Sequence, residues 1–277
     1  VLVSPLEYAL CPRHSKQPLV VAARGHRTSG LTDQEHFALF TGAVGMLHCI
    51  DDDDGSEEWG FIPPDQLTRL KELSDGSTNH KYFMDGEPVV YQDTNTDQKI
   101  LFFGERRGGY NYHALDVTTY YSPSYLYSIG PTFLVGEDGD QNGSADGAGA
   151  TLGQAWSKPT VHEIQTSSGP EEVFLLAGGY DDNQDQATPI ATDLKGRAVF
   201  TVKVSDGTIS KLNVNAGYYT DMTHCIVDVA GFDTSGNQYT NRVYAGDLGG
   251  NIFAFEDDDG DGAWSNRKLF SASADDG

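Results

Sequence analysis

The chain has 277 residues, of which 41 are Asp or Glu and 18 are Lys or Arg, giving a formal net charge of -23 at pH 7. That excess of negative charge repels nucleic acid and anionic lipid headgroups, so neither is an expected partner. No apolar run approaches the length of a membrane-spanning helix, and 32 Gly with 14 Tyr and 13 Phe suit many short strands and tight turns.

In chain order, short apolar, β-branched and aromatic runs come in pairs joined by turns. Pro18–Ala23 leads to Gly45–Ile50, Lys99–Gly104 to Asn111–Asp116, Glu172–Gly178 to Ala198–Val204, and Arg242–Gly246 to Asn251–Glu256. A further strand follows each pair, at Glu57–Ile62, Tyr125–Ile129, Thr208–Leu212 and Arg267–Ser271. One precedes three of them, at Glu87–Gln92, Trp156–Ile164 and Thr223–Phe232. Four strands per unit, repeated at irregular spacing, is how the blades of a β-propeller appear in sequence.

The expected fold class is therefore all-β, a single β-propeller domain over residues 1–277 with four blades visible, near 1–64, 85–130, 155–213 and 222–271. The apolar residues of Ile100–Phe103, Val173–Leu176 and Ile252–Phe255 are expected to pack between blades. The chain opens on Val1, and Ser271–Gly277 falls where a fifth blade would begin, so an incomplete propeller is expected. The best helical candidate is Pro64–Ser74, where Leu67, Leu70 and Leu73 recur at a spacing of three.

Cys11, Cys49 and Cys225 are odd in number, so at least one is free or pairs outside the chain. Cys49 and Cys225 lie in apolar strands and read as small buried hydrophobes, while Cys11 sits in a loop and is the better disulfide candidate. Cys49 and His48 are strand neighbours on opposite faces and cannot share a metal.

Two acidic loops have calcium-type spacing. In the first, Asp138, Asp140 and Asn142 stand at alternate positions before Gly143, followed by the Ser144 carbonyl and Asp146. Those oxygens approach the shell that Ca2+ takes, and Gly permits the sharp turn that aims the next carbonyl inward. Position twelve is Gly149 and strands flank the loop, so it is no helix-flanked sensor hand. In the second, Asp257, Asp259 and Asp261 precede Gly262, with the Ala263 carbonyl and Ser265 completing the candidate set, and the loop replaces the turn between two strands of its blade. An ordinary acidic turn is the alternative for each. Asp51–Asp54 reads as a solvated hairpin turn, and Asp181, Asp182, Asn183 and Asp185 form a weaker cation candidate.

The segments Thr151–Val161 (Leu-Gly-Gln-Ala-Trp-Ser-Lys-Pro within it), Gly178–Asp181, Val243–Phe255, Asn111–Val117 and Gly45–Asp51 together resemble the C-terminal propeller domain of PilY1-type proteins, the type IV pilus tip and biogenesis factors. The resemblance covers roughly residues 18–271, and its most specific elements are the Leu-Gly-x-x-Trp-Ser-x-Pro strand and the Gly-Asp-Leu-x-Gly-Asn turn. It implies a quinoprotein-like propeller, secreted to the pilus tip or outer surface of a bacterium. It also implies pilin or minor pilin subunits and a host or abiotic surface as partners, and Ca2+ as the cofactor that controls extension and retraction. Asp138, Asp140, Asn142, Ser144 and Asp146 match the family's acidic loop. No Arg-Gly-Asp tripeptide is present, so integrin binding does not carry over, and the family's N-terminal adhesive region is missing from this chain.

Quinoprotein dehydrogenases share the propeller and also use calcium, so an enzyme is the competing class. Their sites need a quinone stacked on Trp and an Asp base at the metal. This chain has Trp only at 59, 156 and 264, in positions that core packing explains, and no Gly-x-Ser-x-Gly or His-Glu-x-x-His signature. His113, His162 and His224 read as structural histidines. The expectation is a non-enzymatic protein, with a carbohydrate- or protein-binding propeller unrelated to pili as a third possibility.

Overall fold

In a computed structural model the described residues are 2–3, 37–42, 45–51, 55–74, 81–130, 152–188, 192–212 and 221–272. They form four antiparallel sheets of four strands each. The first contains β1 (Leu2–Val3), β2 (Phe37–Gly42), β3 (Met46–Asp51) and β4 (Glu57–Phe61), ordered β1-β4-β3-β2. The second is β5 (Val89–Gln92), β6 (Lys99–Gly104), β7 (Tyr112–Asp116) and β8 (Ser124–Ile129). The third is β9 (Thr160–Thr166), β10 (Gly169–Ala177), β11 (Val199–Lys203) and β12 (Ile209–Lys211). The fourth is β13 (Ile226–Phe232), β14 (Arg242–Asp247), β15 (Asn251–Glu256) and β16 (Ser265–Ser271). Each of the last three follows chain order, the meander of a propeller blade.

The first sheet corrects the strand reading. The hairpin partner of β3 is β2, with Phe37 opposite Asp51 and Gly42 opposite Met46, whereas Pro18–Ala23 lies outside the described residues. The run Phe-Ala-Leu-Phe-Thr-Gly ends directly before the turn into β3, and a short connection closes a hairpin with less entropy loss than a long one. β1 adds itself to the free edge of β4, with Leu2 opposite Phe61.

Alternation along the strands explains how the sheets stack. On β10, Phe174 and Leu176 face a cluster shared with Ile100 and Phe102 of β6, while Val173 and Leu175 face one shared with Phe253 and Phe255 of β15. Leu101 and Phe103, on the other face of β6, meet Leu47, Trp59 and Phe61 of the first sheet. Neighbouring residues of one strand thus serve different seams, because successive side chains point to opposite faces. Each sheet packs face to face with the next, and fully burying a Phe or Leu contributes roughly 1.5–3 kcal/mol. Ile252 falls outside this pattern and is exposed. Between the first and second sheets, the predicted helix over Pro64–Ser74 resolves into a 3-10 turn at Gln66–Arg69 followed by the single turn α1 (Lys71–Ser74).

Successive sheets are also tied by backbone bonds between the segment entering a sheet and a connecting loop of its neighbour. Ala155 N–H donates to Gly109 O at 3.0 Å, and Ile226 N–H donates to Gly196 O at 2.8 Å.

Candidate metal centres

Two clusters among the described residues bring three metal-ligating side chains together: Asp65 with Glu105 and His113, and Asp257 with Asp259 and Asp261.

The Asp257 loop joins β15 to β16. Asp257 is buried and its carboxylate accepts N–H bonds from Gly260 (3.1 Å) and Asp261 (3.2 Å) on Oδ1 and from Gly262 (3.1 Å) on Oδ2. One side chain thereby folds the loop that it begins. Gly260 and Gly262 take φ of 69° and 82°, the left-handed region that glycine enters without strain. At Gly262 a Cβ would also sit 2.8 Å from Thr166 Cα, so the loop leans on the third sheet. Oxygens of Asp257, Asp259 and Asp261 lie within 4.8 Å of one another, and the intervening Asp258 turns away to Arg242 Nη2 at 2.7 Å. Three like charges that converge, with no ion pair to a Lys or Arg among the described residues, suit a hard cation. Ala263 stays with the loop, its N–H donating to Asp261 Oδ1 at 2.8 Å. Ser265 belongs to the ladder of β16, opposite Glu256, with its hydroxyl 3.5 Å from the Glu256 carbonyl.

Asp138, Asp140, Asn142, Ser144 and Asp146 lie outside the described residues, as do Cys11 and Asp52–Asp54. The carboxylates of the 181–185 segment have separate structural duties. Asp181 accepts N–H bonds from Asn183, Leu194 and Lys195, while Asp182 meets Tyr110 and Gln154 and Asp185 meets Tyr180. Cys49 and Cys225 are free and buried, and burial pushes both thiols up to about 12.

The second cluster was invisible to motif spacing because its members come from the link before the second sheet and from separate parts of that sheet. Asp65 stands in the link after β4, Glu105 just beyond β6, and His113 on β7. Glu105 and His113 are fully buried. Glu105 Oε1 accepts from Gln66 Nε2 (2.7 Å) and lies 3.2 Å from His113 Nε2, while its Oε2 accepts the Asn111 N–H at 3.2 Å. Asp65 Oδ2 accepts from Asn111 Nδ2 at 2.8 Å, and Asp65 Oδ1 lies 3.8 Å from His113 Nε2. His113 Nδ1 is 2.5 Å from Ser128 Oγ, which in turn meets Tyr125 OH at 2.6 Å. Burial, followed by the neighbouring Glu105, raises the Asp65 carboxyl above the usual carboxylate range. Burial depresses His113, so its imidazole is neutral. His162 and His224 are placed structurally, the first between Thr160 and Thr240 hydroxyls and the second beside Gln184 and Asp193.

The profile of the PilY1 beta-propeller domain matches residues 28–276. The chain belongs to that family. A type IV pilus biogenesis factor PilY1 homolog of Xylella fastidiosa is 30% identical over 278 residues, covering 94% of this chain and 20% of that protein. Type IV pilus biogenesis factor PilY1 of Pseudomonas aeruginosa strain UCBPP-PA14 is 28% identical over 232 residues, with 81% of this chain and 17% of that protein covered. The chain thus spans about a fifth or less of these relatives. The crystal structure of the Pseudomonas aeruginosa PilY1 C-terminal domain aligns with a TM-score of 0.52 at 22% identity, over 80% of this chain and 38% of that one. That likeness establishes the propeller fold.

Proposed function

We propose that this PilY1-family propeller is a non-enzymatic, calcium-binding domain that acts in type IV pilus biogenesis and attachment at the outer bacterial surface. In this reading its partners are pilin or minor pilin subunits and the surface to which the cell adheres. The observation that carries calcium is the convergence of Asp257, Asp259 and Asp261 in a loop already folded by backbone N–H bonds to Asp257. Carboxylate oxygens with a flexible surround favour Ca2+ over Mg2+, which demands a tighter octahedron and sheds water reluctantly. The Asp138–Asp146 loop is proposed as a further calcium site on its spacing. Family membership carries the pilus, since the curated relatives are named type IV pilus biogenesis factors. The non-enzymatic reading draws support from the Trp residues: Trp59 and Trp264 are buried in the seams, and Trp156 lies beneath the Arg106 guanidinium.

Titration of the purified protein with Ca2+ and Mg2+ tests the cation. Ca2+ is expected to raise the thermal midpoint with concentration, and Asp259→Asn with Asp261→Asn is expected to remove the contribution of this loop. Identical calcium responses in the variant and the parent would overturn the assignment to Asp257–Asp261. In the source bacterium, deletion is expected to reduce surface piliation or attachment, and normal piliation and attachment would overturn the pilus reading.

A further inference from the structure

We propose that Asp65, Glu105 and His113 form a second metal centre, one that takes a divalent first-row transition ion with Zn2+ as the best match. The site is distinct from the calcium-type loop in chemistry, because it includes an imidazole nitrogen, and in position, because it sits at the link entering the second sheet. Nothing in the pilus reading requires it.

The distances favour a small ion. Ligands about 2.1 Å from a tetrahedral Zn2+ stand about 3.4 Å apart. Glu105 Oε1 and Asp65 Oδ1 lie 3.2 and 3.8 Å from His113 Nε2, on either side of that value. Ca2+ binds at longer range and takes oxygen, whereas carboxylate with imidazole suits Zn2+ and its first-row neighbours.

Each ligand also has one atom tied to the protein away from the shared centre, and Glu105 Oε1, which faces that centre, accepts from Gln66 Nε2 as well. Asn111 holds Asp65 Oδ2 and Glu105 Oε2, and Ser128 holds His113 Nδ1. A hydroxyl accepts as readily as it donates, so Ser128 is compatible with the tautomer that leaves Nε2 bare for a metal. Gly109 preserves the room, since a Cβ there would stand 1.8 Å from Glu105 Oε2. An independent sign of a missing ligand is Asp65 Oδ1, a buried oxygen that accepts no hydrogen bond. Such atoms are rare in folded proteins and call for an ion or water. Finally, the ion pairs of these two carboxylates run only to His113 among the described residues, so neither is paired with a Lys or Arg there. A divalent cation would supply a counter-charge.

The test uses Co2+ and Zn2+ as probes on the purified, metal-stripped protein. One equivalent of Co2+ is expected to develop the visible absorption of a low-coordinate ion, and Zn2+ to displace it, with Ca2+ ineffective. Asp65→Asn and His113→Gln are each expected to weaken uptake by at least about tenfold, and Ser128→Ala by about 10–100-fold through loss of ligand orientation. Asp259→Asn in the calcium-type loop is expected to leave Co2+ uptake unchanged, which separates this site from that one. Asp65→Asn removes like-charge repulsion, so the metal-free variant should melt no lower than the parent. Absence of the Co2+ signal in the parent overturns the proposal and identifies the cluster as carboxyls sharing a proton. Uptake that survives both Asp65→Asn and His113→Gln, unchanged affinity in Ser128→Ala, or equal competition by Ca2+ overturns it as well.

Discussion

Phe102 and Phe174 stack face to face across the seam between the second and third sheets, with ring centroids 4.3 Å apart and planes inclined by 5°. Both rings are fully buried. Phe174→Ala should therefore lower stability by about 3–5 kcal/mol, as expected when a large core side chain is removed and its cavity remains. Urea unfolding measures this. Ile252→Ala, at an exposed position of β15, serves as the control and should stay within about 0.5 kcal/mol of the parent.

Asp257 and Asp259 should separate a folding role from a cation-binding role. Asp257→Ala removes the acceptor for three loop N–H groups and should cost about 1–3 kcal/mol without any calcium. Asp259→Ala removes no such bond, so calcium-free stability should hold while the calcium-dependent gain shrinks. Parallel thermal melts with calcium and with chelator check both outcomes.

The thiols of Cys49 and Cys225 are held up to about 12 by burial, so both stay protonated and unreactive at pH 8. Alkylation mapped by mass spectrometry should be slow at both sites in the native protein and fast in denaturant. A free thiol ionises near 8.5, so the folded state retains protons that the unfolded state loses above that pH. Stability is therefore full below about pH 8.5 and falls as pH rises toward 12, by up to about 1.4 kcal/mol per unit for each thiol.

Asp193 carries the opposite sign. Its burial opposes ionisation, but hydrogen bonds from Asn183, Gln184 and the Cys225 N–H outweigh that and lower its pKa. The stabilisation is present above the unfolded carboxylate value of about 3.9 and is lost as pH falls through the lower folded value. The stability difference between the parent and Asp193→Asn should be large at pH 6 and shrink steadily on acidification. A constant difference across that range would show that the carboxylate charge is not what matters.

What could be read in the sequence was local. Val-Phe-Leu-Leu at 173–176 is an uninterrupted apolar run, the pattern of a strand buried on both faces, and the structure buries it on both faces. Asp257, Asp259 and Asp261 were legible because one short loop holds them all. β2 is hard to tell from Pro18–Ala23, which is also apolar, and propensity does not say which of two runs reaches the partner; the pairing of Gly42 with Met46, four residues on, does. The Asp65, Glu105 and His113 cluster was beyond reach for a different reason. Its residues acquire a common centre only when the link between two sheets settles over the end of β6 and β7, and no spacing along the chain encodes that.

Strand β10 rests on two seams at once, through Phe174 and Leu176 on one face and Val173 and Leu175 on the other. The second and fourth sheets thus influence each other through a shared neighbour, since whatever loosens β10 from one side weakens its anchorage for the other. Such an array has nearest-neighbour cooperativity, with the stability of any blade set jointly by its own ladder and by the blades beside it. Amide protons in the middle of β10 and β11 exchange only when both seams open together, so theirs should be the slowest exchange in the molecule.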